Sequence, residues 1–321
     1  MIRGDQVREW AGELGFIACG ITTPAPSERA AFLDDWLARG YGGTMRYLNR
    51  QARKRKDPRL IDPEAKSVVV VLDNYYHRMD PPAATAPEGA TPLRIAKYAH
   101  GADYHDAIGR RLDLLADRLR AGGAAHTRVY ADAGPVPERE LAARAGLGWI
   151  GKNAMLIRPG TGSFFFIGSI FTDLELEPDA PFEGDHCGSC TRCLDACPTG
   201  AFVAPRVLDA TRCISYLTIE QKGPIPDDLE PHLDGWAFGC DVCNDVCPWN
   251  VKFAEETSVP DYLPRSGPPI TGDTFERLDE AQFDERFGGT PFARPGLAGM
   301  RRNARAAAAS RRGFAGKADT A

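Results

Sequence analysis

The chain has 321 residues, 43% of them hydrophobic and 26% charged, with a formal net charge of −5. That balance supports a sizeable core and excludes a disordered chain or a wholesale polyanion binder, while leaving room for local basic patches. "MIRGDQVREWAGELG" at the N-terminus lacks the apolar core of a secretion signal and no apolar run can cross a bilayer, so a cytoplasmic protein with no membrane association is expected.

In chain order, the first half reads as α/β. Cys19, alone in "GFIACGIT", is expected as a small buried hydrophobe at a strand end. "RQARKRKDPR" (50–59) holds six Lys or Arg in ten positions, which in isolation reads as a solvated face. "SVVVVLDNYY" (67–76) is a β-branched run suited to a buried strand. "MDPPAATAPEGATP" (79–92) has the composition of a surface loop. "DYHDAIGRRLDLLADRLRAGG" (103–123) puts Ile108, Leu112, Leu115 and Leu119 on one helical face and ends on a glycine pair.

"TRVYAD" (127–132) is strand-like and is followed by a short helix between Pro137 and Gly146. "AMLIRPGTGSFFFIGSIFTDLEL" (154–176) predicts a hairpin of two apolar strands around a Pro-Gly turn. Tyr75, Tyr76, Tyr104 and Trp149 read as core aromatics. The chain ends in "RRNARAAAASRRGFAGKADTA", a short helix with a frayed basic tail by pattern.

Eight of the nine cysteines fall between Cys187 and Cys247. Structural disulfides are disfavoured in a reducing compartment, and such clustering suits metal ligation. The first motif runs Cys187-x2-Cys190-x2-Cys193-x3-Cys197-Pro198; the second has Cys213, then Cys240-x2-Cys243-x3-Cys247-Pro248. Zinc favours separated ligand pairs. Three cysteines at three-residue spacing, with a fourth before proline, follow the ferredoxin pattern, in which the fourth ligates the other cluster. On that pattern Cys187, Cys190, Cys193 and Cys247 hold one [4Fe–4S] cluster, and Cys197, Cys213, Cys240 and Cys243 hold a second.

Asp132 stands at the end of a strand before a glycine-proline turn. A carboxyl at such a position can face a cleft, where desolvation makes it a proton donor; a turn or cap aspartate is the alternative. The glycines of "AGLGWIGKN" permit close backbone approach but form no dinucleotide fingerprint.

The sequence resembles the epoxyqueuosine reductase family. The resemblance is carried by "DAGPVPERELAARAGLGWIGKN", "CGSCTRCLDACPTGAF", "CISYLTIEQKGPIP", "GCDVCNDVCPWN", the upstream "YLNRQARKRKDPRLIDPEAKSVVVVLDNYY" and the downstream "FDERFGGTPFARPGLAGMRRNA". It implies a mixed α+β and α/β chain: a nitroreductase-like cobalamin-binding domain over 1–178, a ferredoxin-like domain with two [4Fe–4S] clusters over 179–255, and a short C-terminal segment with a basic tail over 256–321. It also implies reduction of epoxyqueuosine to queuosine in the tRNA anticodon loop, with Asp132 as proton donor. Cobalamin contacts are expected at Arg55, Asp132, Lys152, Asn153, Ser215 and Asp241, and a tRNA contact at Lys222.

A low-potential electron donor protein and a monomeric state complete the expectation. Longer members carry a HEAT-like extension that this chain lacks, so Arg301, Arg302, Arg305, Arg311 and Arg312 are expected to substitute electrostatically toward tRNA. Corrinoid reductive dehalogenases look like distant relatives, giving a small-electrophile reductase as one alternative; the absence of a twin-arginine leader weighs against their exported type. An electron-transfer module without its own substrate is the other.

Overall fold

The computed structural model describes residues 2–79, 91–265 and 269–315. The expected loop at 79–92 therefore falls mostly outside the described residues. The first helix, α1 (Gly4–Glu13), buries Val7 and Ala11, one turn apart. Strand β1 (Ala18–Thr22) follows, then α2 (Ala30–Ala38) and two short helices, α3 (Arg46–Arg50) and α4 (Ala52–Lys56). Strand β2 (Ser67–Asn74) is the buried run expected, and it pairs antiparallel with β1.

The short β3 (Arg94–Ile95) leads into α5 (Tyr104–Ala121), capped by the Asp103 carboxylate accepting from the His105 backbone N–H at 3.0 Å. Strand β4 (Thr127–Ala131), helix α6 (Glu138–Arg144) and strands β5 (Trp149–Ile150), β6 (Leu156–Ile157) and β7 (Phe165–Thr172) complete the first half.

The main sheet has the order β1-β2-β7-β4 and is antiparallel throughout. Both its faces are covered, which is why β2 needs no polar alternation. Val69 and Val71 point to the layer made by Ile108, Leu112, Leu115 and Leu119 of α5 with Val7 of α1. Val68, Val70 and Leu72 point to Leu141 and Ala142 of α6. A Cβ on Gly168 would stand 2.8 Å from Leu112 Cδ1, so this glycine lets α5 lie close on the sheet. The hairpin expected over 154–176 does not form as one unit. The Pro-Gly turn is closed by an Arg158–Gly162 bridge, but β6 pairs with β5 while β7 pairs with β2 and β4.

The cysteine region carries α7 (Arg192–Asp195), β8 (Phe202–Ala204), β9 (Val207–Leu208), α8 (Ile214–Ile219), β10 (Trp236–Phe238), α9 (Val242–Asp245) and α10 (Pro248–Phe253). It is not separable from its neighbours, because β10 pairs parallel with β3 from the first half. The C-terminal segment is more than a tail. Helices α11 (Glu280–Phe287) and α12 (Gly296–Ala315) build a core of Phe275, Phe283, Phe287, Phe292, Leu297 and Met300 around Ile95 and Phe238.

Most of the arginines expected to face tRNA are engaged within this core's surroundings. Arg301 donates to the carbonyl of Phe275 at 3.0 Å, and Arg302 to those of Gln221 at 2.8 Å and Leu217 at 2.9 Å. Arg305 donates to Glu276 at 2.6 Å and Arg311 to the Pro92 carbonyl at 2.7 Å. The Arg312 side chain lies outside the described residues. No helix among the described residues is long and apolar enough to cross a membrane.

Candidate functional site

Asp132 ends β4 at φ 52, a left-handed conformation that a non-glycine residue holds only when its surroundings insist. Three groups fix it. The Tyr104 hydroxyl donates to its Oδ2, the Glu138 Oε1 accepts its backbone N–H at 2.6 Å, and His105 Nε2 lies 3.8 Å from Oδ2. Tyr104 is itself stacked between His105 and Phe166, with ring centroids 4.1 and 4.3 Å away. Arg55 braces the turn that follows, donating to the carbonyls of Gly134 at 3.1 Å and Val136 at 3.4 Å.

The desolvation expected at Asp132 falls instead on the half-buried Glu138, six residues on at the start of α6. The Asp132 side chain is 64% exposed. Glu138 is the carboxyl pushed well up from its ordinary value, by burial first and by the charge of Asp132 second. The His105 pKa is also raised, chiefly by its hydrogen bond to Asp103, which favours the imidazolium.

Other segments face the same space. Tyr47 on α3 feels Glu220, Arg294, Arg55 and Asp132, while burial is the main cause of its raised pKa. Tyr98 feels Asp132, Asp241 and Glu220 and is raised mainly by burial. Arg294 and Glu220 form a two-pronged pair at 3.1 Å. Tyr47, Tyr98, Arg55 and the Arg294–Glu220 pair thus gather within electrostatic reach of Asp132, bringing the α3–α4 pair and the C-terminal segment to the sheet's end. Arg55 Nε is buried there without a hydrogen-bond partner. An orphaned donor of this kind fits a bound group with its own acceptors.

The eight clustered thiols divide into two neighbourhoods. Cys193 is pushed up to about 11, by burial and then by Cys187, Cys247 and Cys190. Cys247 likewise feels Cys187 and Cys190 behind its burial. Burial also raises Cys240, which feels Cys213 and Cys197, and Cys243, which feels Cys240, Cys213 and Cys197. Among the described residues, neither set is drawn tightly enough to ligate a single ion, and a cubane asks for four thiols set around a larger body. The ninth, Cys19, is partly buried against the sheet's core rather than fully buried as expected, and desolvation raises its thiol to about 12.

Short polar links fix the loops that carry these thiols. Ala201 N–H donates to Cys197 Sγ at 3.3 Å and Trp149 Nε1 to Cys187 Sγ at 3.5 Å. Lys152 Nζ donates to the carbonyls of Gly188 at 2.6 Å and Cys190 at 2.9 Å. Asn153 Nδ2 donates to the Cys243 carbonyl at 3.4 Å. Lys152 and Asn153, expected at the corrin, thus also reach the thiol loops.

Ser215 is half-buried beside Cys213, to which it donates. Asp241 is 3% exposed and accepts the Lys97 backbone N–H at 2.7 Å. It is pushed up to about 6 by burial, against the pull of Lys97. Lys222 is exposed, two residues beyond Glu220. Sequence reasoning did not single out Glu138, His105, Tyr47 or the Arg294–Glu220 pair, and it read Tyr104 as core. The usable signal was "DYH" opening a helix and "PERE" after Asp132, each one element from the aspartate.

Comparison with known proteins adds to this geometry. A family model described as Epoxyqueuosine reductase QueG, DUF1730, matches residues 55–133, and one described as a 4Fe-4S double cluster binding domain matches 186–250. An epoxyqueuosine reductase of Cyclobacterium marinum is 41% identical over 299 residues, covering 92% of this chain and 94% of its own length. That of Xanthomonas campestris is 44% identical over 295 residues, covering 91% of this chain and 82% of its own. A solved epoxyqueuosine reductase bound to a tRNA-Tyr epoxyqueuosine-modified stem loop superposes with a TM-score of 0.85 at 33% identity, over 95% of this chain and 80% of that one. The Bacillus subtilis enzyme, with its catalytic aspartate loop swung out of the active site, gives 0.81 at 32% identity over 95% and 81%.

Proposed function

The chain belongs to the epoxyqueuosine reductase family, and from that premise we propose that it reduces epoxyqueuosine to queuosine in the anticodon loop of tRNA, using cobalamin and two [4Fe–4S] clusters. The observation that carries this reading is the adjacency of the Asp132 site to one thiol set. Tyr104, which donates to Asp132, packs its ring 5.8 Å from that of Tyr98, the adjacent Lys97 N–H donates to Asp241 at 2.7 Å, and Asp241 is next in sequence to Cys240. This chain of contacts supports a proton donor at Asp132 working beside an electron source at the second thiol set.

The conversion takes two electrons and two protons, breaks both epoxide C–O bonds, forms the alkene and releases water. Cobalamin, when bound, supplies the low-potential centre that meets the substrate. Asp132 gives the departing oxygen its proton, with Tyr104 fixing the carboxyl through Oδ2. Its exposure lets solvent recharge it, and His105 at 3.8 Å is a second proton source. Arg55 offers its unpartnered Nε to a polar group of the cofactor, with Ser215 and Asp241 as further contacts.

Lys152 and Asn153 act through the cluster loops. Cys187, Cys190, Cys193 and Cys247 hold one cluster, and Cys197, Cys213, Cys240 and Cys243 the other. The first set sits in a loop whose Gly188, Ser189, Thr191 and Arg192 are exposed, so electrons from a low-potential donor protein enter there. A monomer in the cytoplasm suits this arrangement.

The test is anaerobic incubation of the cluster- and cobalamin-loaded protein with a low-potential reductant and tRNA bearing epoxyqueuosine, followed by nucleoside mass spectrometry. Queuosine is the expected product. Its absence with every cofactor loaded sinks the reading.

A further inference from the structure

The basic run at 50–59 is sorted by the fold into members that are used and members that are not. Helices α3 and α4 are nearly continuous, because Gln51 N–H donates to Tyr47 O and Arg55 N–H to Gln51 O, each at 3.0 Å. Residues 47, 51 and 55 therefore follow one line at four-residue spacing, and on that line Arg55 reaches the turn after Asp132 while the neutral Tyr47 hydroxyl lies within electrostatic reach of Asp132. Arg46, Arg50, Arg53 and Lys54 fall on another side of the same pair, and all four are exposed.

Neighbouring cations show what a structural role looks like here. Lys56 pairs with Asp34 at 2.9 Å and Arg59 with Asp57 at 2.8 Å. Among the described residues, Arg46, Arg50, Arg53 and Lys54 have no carboxylate within ion-pair distance. Four unneutralised cations on one short face are unusual for a chain whose net charge is −5. The face also reaches the segment from Glu220 to Lys222. Thr44, two residues before Arg46, donates to the Glu220 carbonyl at 3.1 Å, and Lys222 is two residues beyond.

We infer that the α3–α4 face formed by Arg46, Arg50, Arg53 and Lys54 is a phosphate-binding rim for the RNA strand that delivers its loop nucleoside to the Asp132 site. The inference rests on the proposed function, which requires a polyphosphate chain at this opening. Phosphates are satisfied there by exposed, unpaired, flexible cations that release counterions on contact and need no fixed partner. The face carries no sequence information. It sets where the strand lies while the Asp132 site selects the nucleoside. An acidic electron-transfer protein would also be drawn to such a face, and the experiment separates the two.

The variant Arg46→Gln/Arg50→Gln/Arg53→Gln/Lys54→Gln is compared with a charge-matched control, Arg3→Gln/Lys66→Gln/Arg118→Gln/Arg120→Gln, which removes four cations paired elsewhere on the surface. Binding of an unmodified anticodon stem-loop RNA is measured by anisotropy over a salt series, with iron content and cobalamin binding as folding checks. The expected result is an affinity loss of about tenfold or more near physiological salt, and a log K against log salt slope shallower by about 3 for four lost contacts. The control keeps both.

An unchanged slope and affinity in the fourfold variant overturns the inference. So does normal RNA binding with slowed reduction by an acidic donor protein such as a flavodoxin but normal reduction by a small-molecule reductant. If wild-type protein converts epoxyqueuosine tRNA while the variant binds RNA normally, the rim is wrong and the function stands. If loaded wild type converts none, the functional reading has failed instead.

Discussion

Replacing Glu138 tests how the Asp132 loop is held. The Glu138 carboxylate accepts the Asp132 N–H at 2.6 Å and opposes the strain of φ 52 at that residue. A hydrogen bond to a charged group contributes about 1.5–3 kcal/mol and a neutral one about 0.5–1.5. Above pH 8, where Glu138 ionises, Glu138→Gln keeps an acceptor but not the charge and weakens the hold by about 1 kcal/mol, roughly a fivefold shift toward loop-out, whereas at pH 7 it leaves the hold nearly unchanged. Glu138→Ala removes the bond and shifts the balance by about 10- to 100-fold.

Hydrogen exchange at 131–137 and kcat on epoxyqueuosine stem-loop RNA are the assays, with iron content held equal. Above pH 8, exchange should quicken and kcat fall in the order glutamine, then alanine, with KM little changed. The pH dependence gives an independent readout. Burial and Asp132 raise Glu138 from 4.5 to about 8, so the folded state holds a proton that the unfolded chain has already lost across that window. Wild-type stability therefore falls as pH rises from 4.5 toward 8, and the glutamine variant loses this slope. Wild-type exchange, kcat and pH slope in both variants would refute the latch.

Cys247→Ala should lower iron content and disturb the cluster held by Cys187, Cys190 and Cys193, seen by electron paramagnetic resonance; disturbance of the Cys240–Cys243 cluster instead would mean the ligation is not crossed. Asn250 is 4% exposed and bonds the Ser163 N–H at 2.6 Å and the Asn244 carbonyl at 2.8 Å, so Asn250→Ala strands two buried groups. The expected cost is about 2–5 kcal/mol, read as an earlier thermal midpoint and faster cluster loss. His126 accepts a raised pKa from its 2.7 Å bond to Asp62, so its contribution is present below 6.5 and lost as pH rises through the raised value. The destabilisation in His126→Asn should be larger at pH 6 than at pH 8.5 in thermal melts.

Elements with a dense local signal were legible. The run 67–76 gave β2 and the periodic 103–123 gave α5, because burial on both sheet faces and one apolar helix stripe each leave a direct sequence pattern. Cysteine spacing carried the thiol grouping for a similar reason: few geometries suit that ladder. What escaped depends on distant pairing. The partner of β6 is β5 rather than β7, although the sequence across the Pro-Gly turn looks equally good for either. The roles of Lys152 and Arg302 were also hidden, since each is decided by backbone carbonyls far along the chain. Asp132 was legible as a position but not as an environment, because its exposure and the burial of Glu138 arise from packing of a loop on a helix start.

The thiol sets explain why the chain is woven rather than divided into successive domains. Cys247 shares a neighbourhood with Cys187, although Cys213, Cys240 and Cys243 of the other set lie between them in sequence. Lys152 from the first half ties down the first loop, Asn153 and Asn250 tie the second, and β10 pairs with β3. Each crossing spans a join that a modular chain would leave free. Cluster ligation would draw these segments together, so much of the second half's order is coupled to metal loading. Iron-depleted protein should therefore keep exchange protection in β2, β7 and α5, whose core contains none of the eight thiols, while protection across 183–250 falls. Equal loss in both regions would mean that the sheet too depends on the clusters.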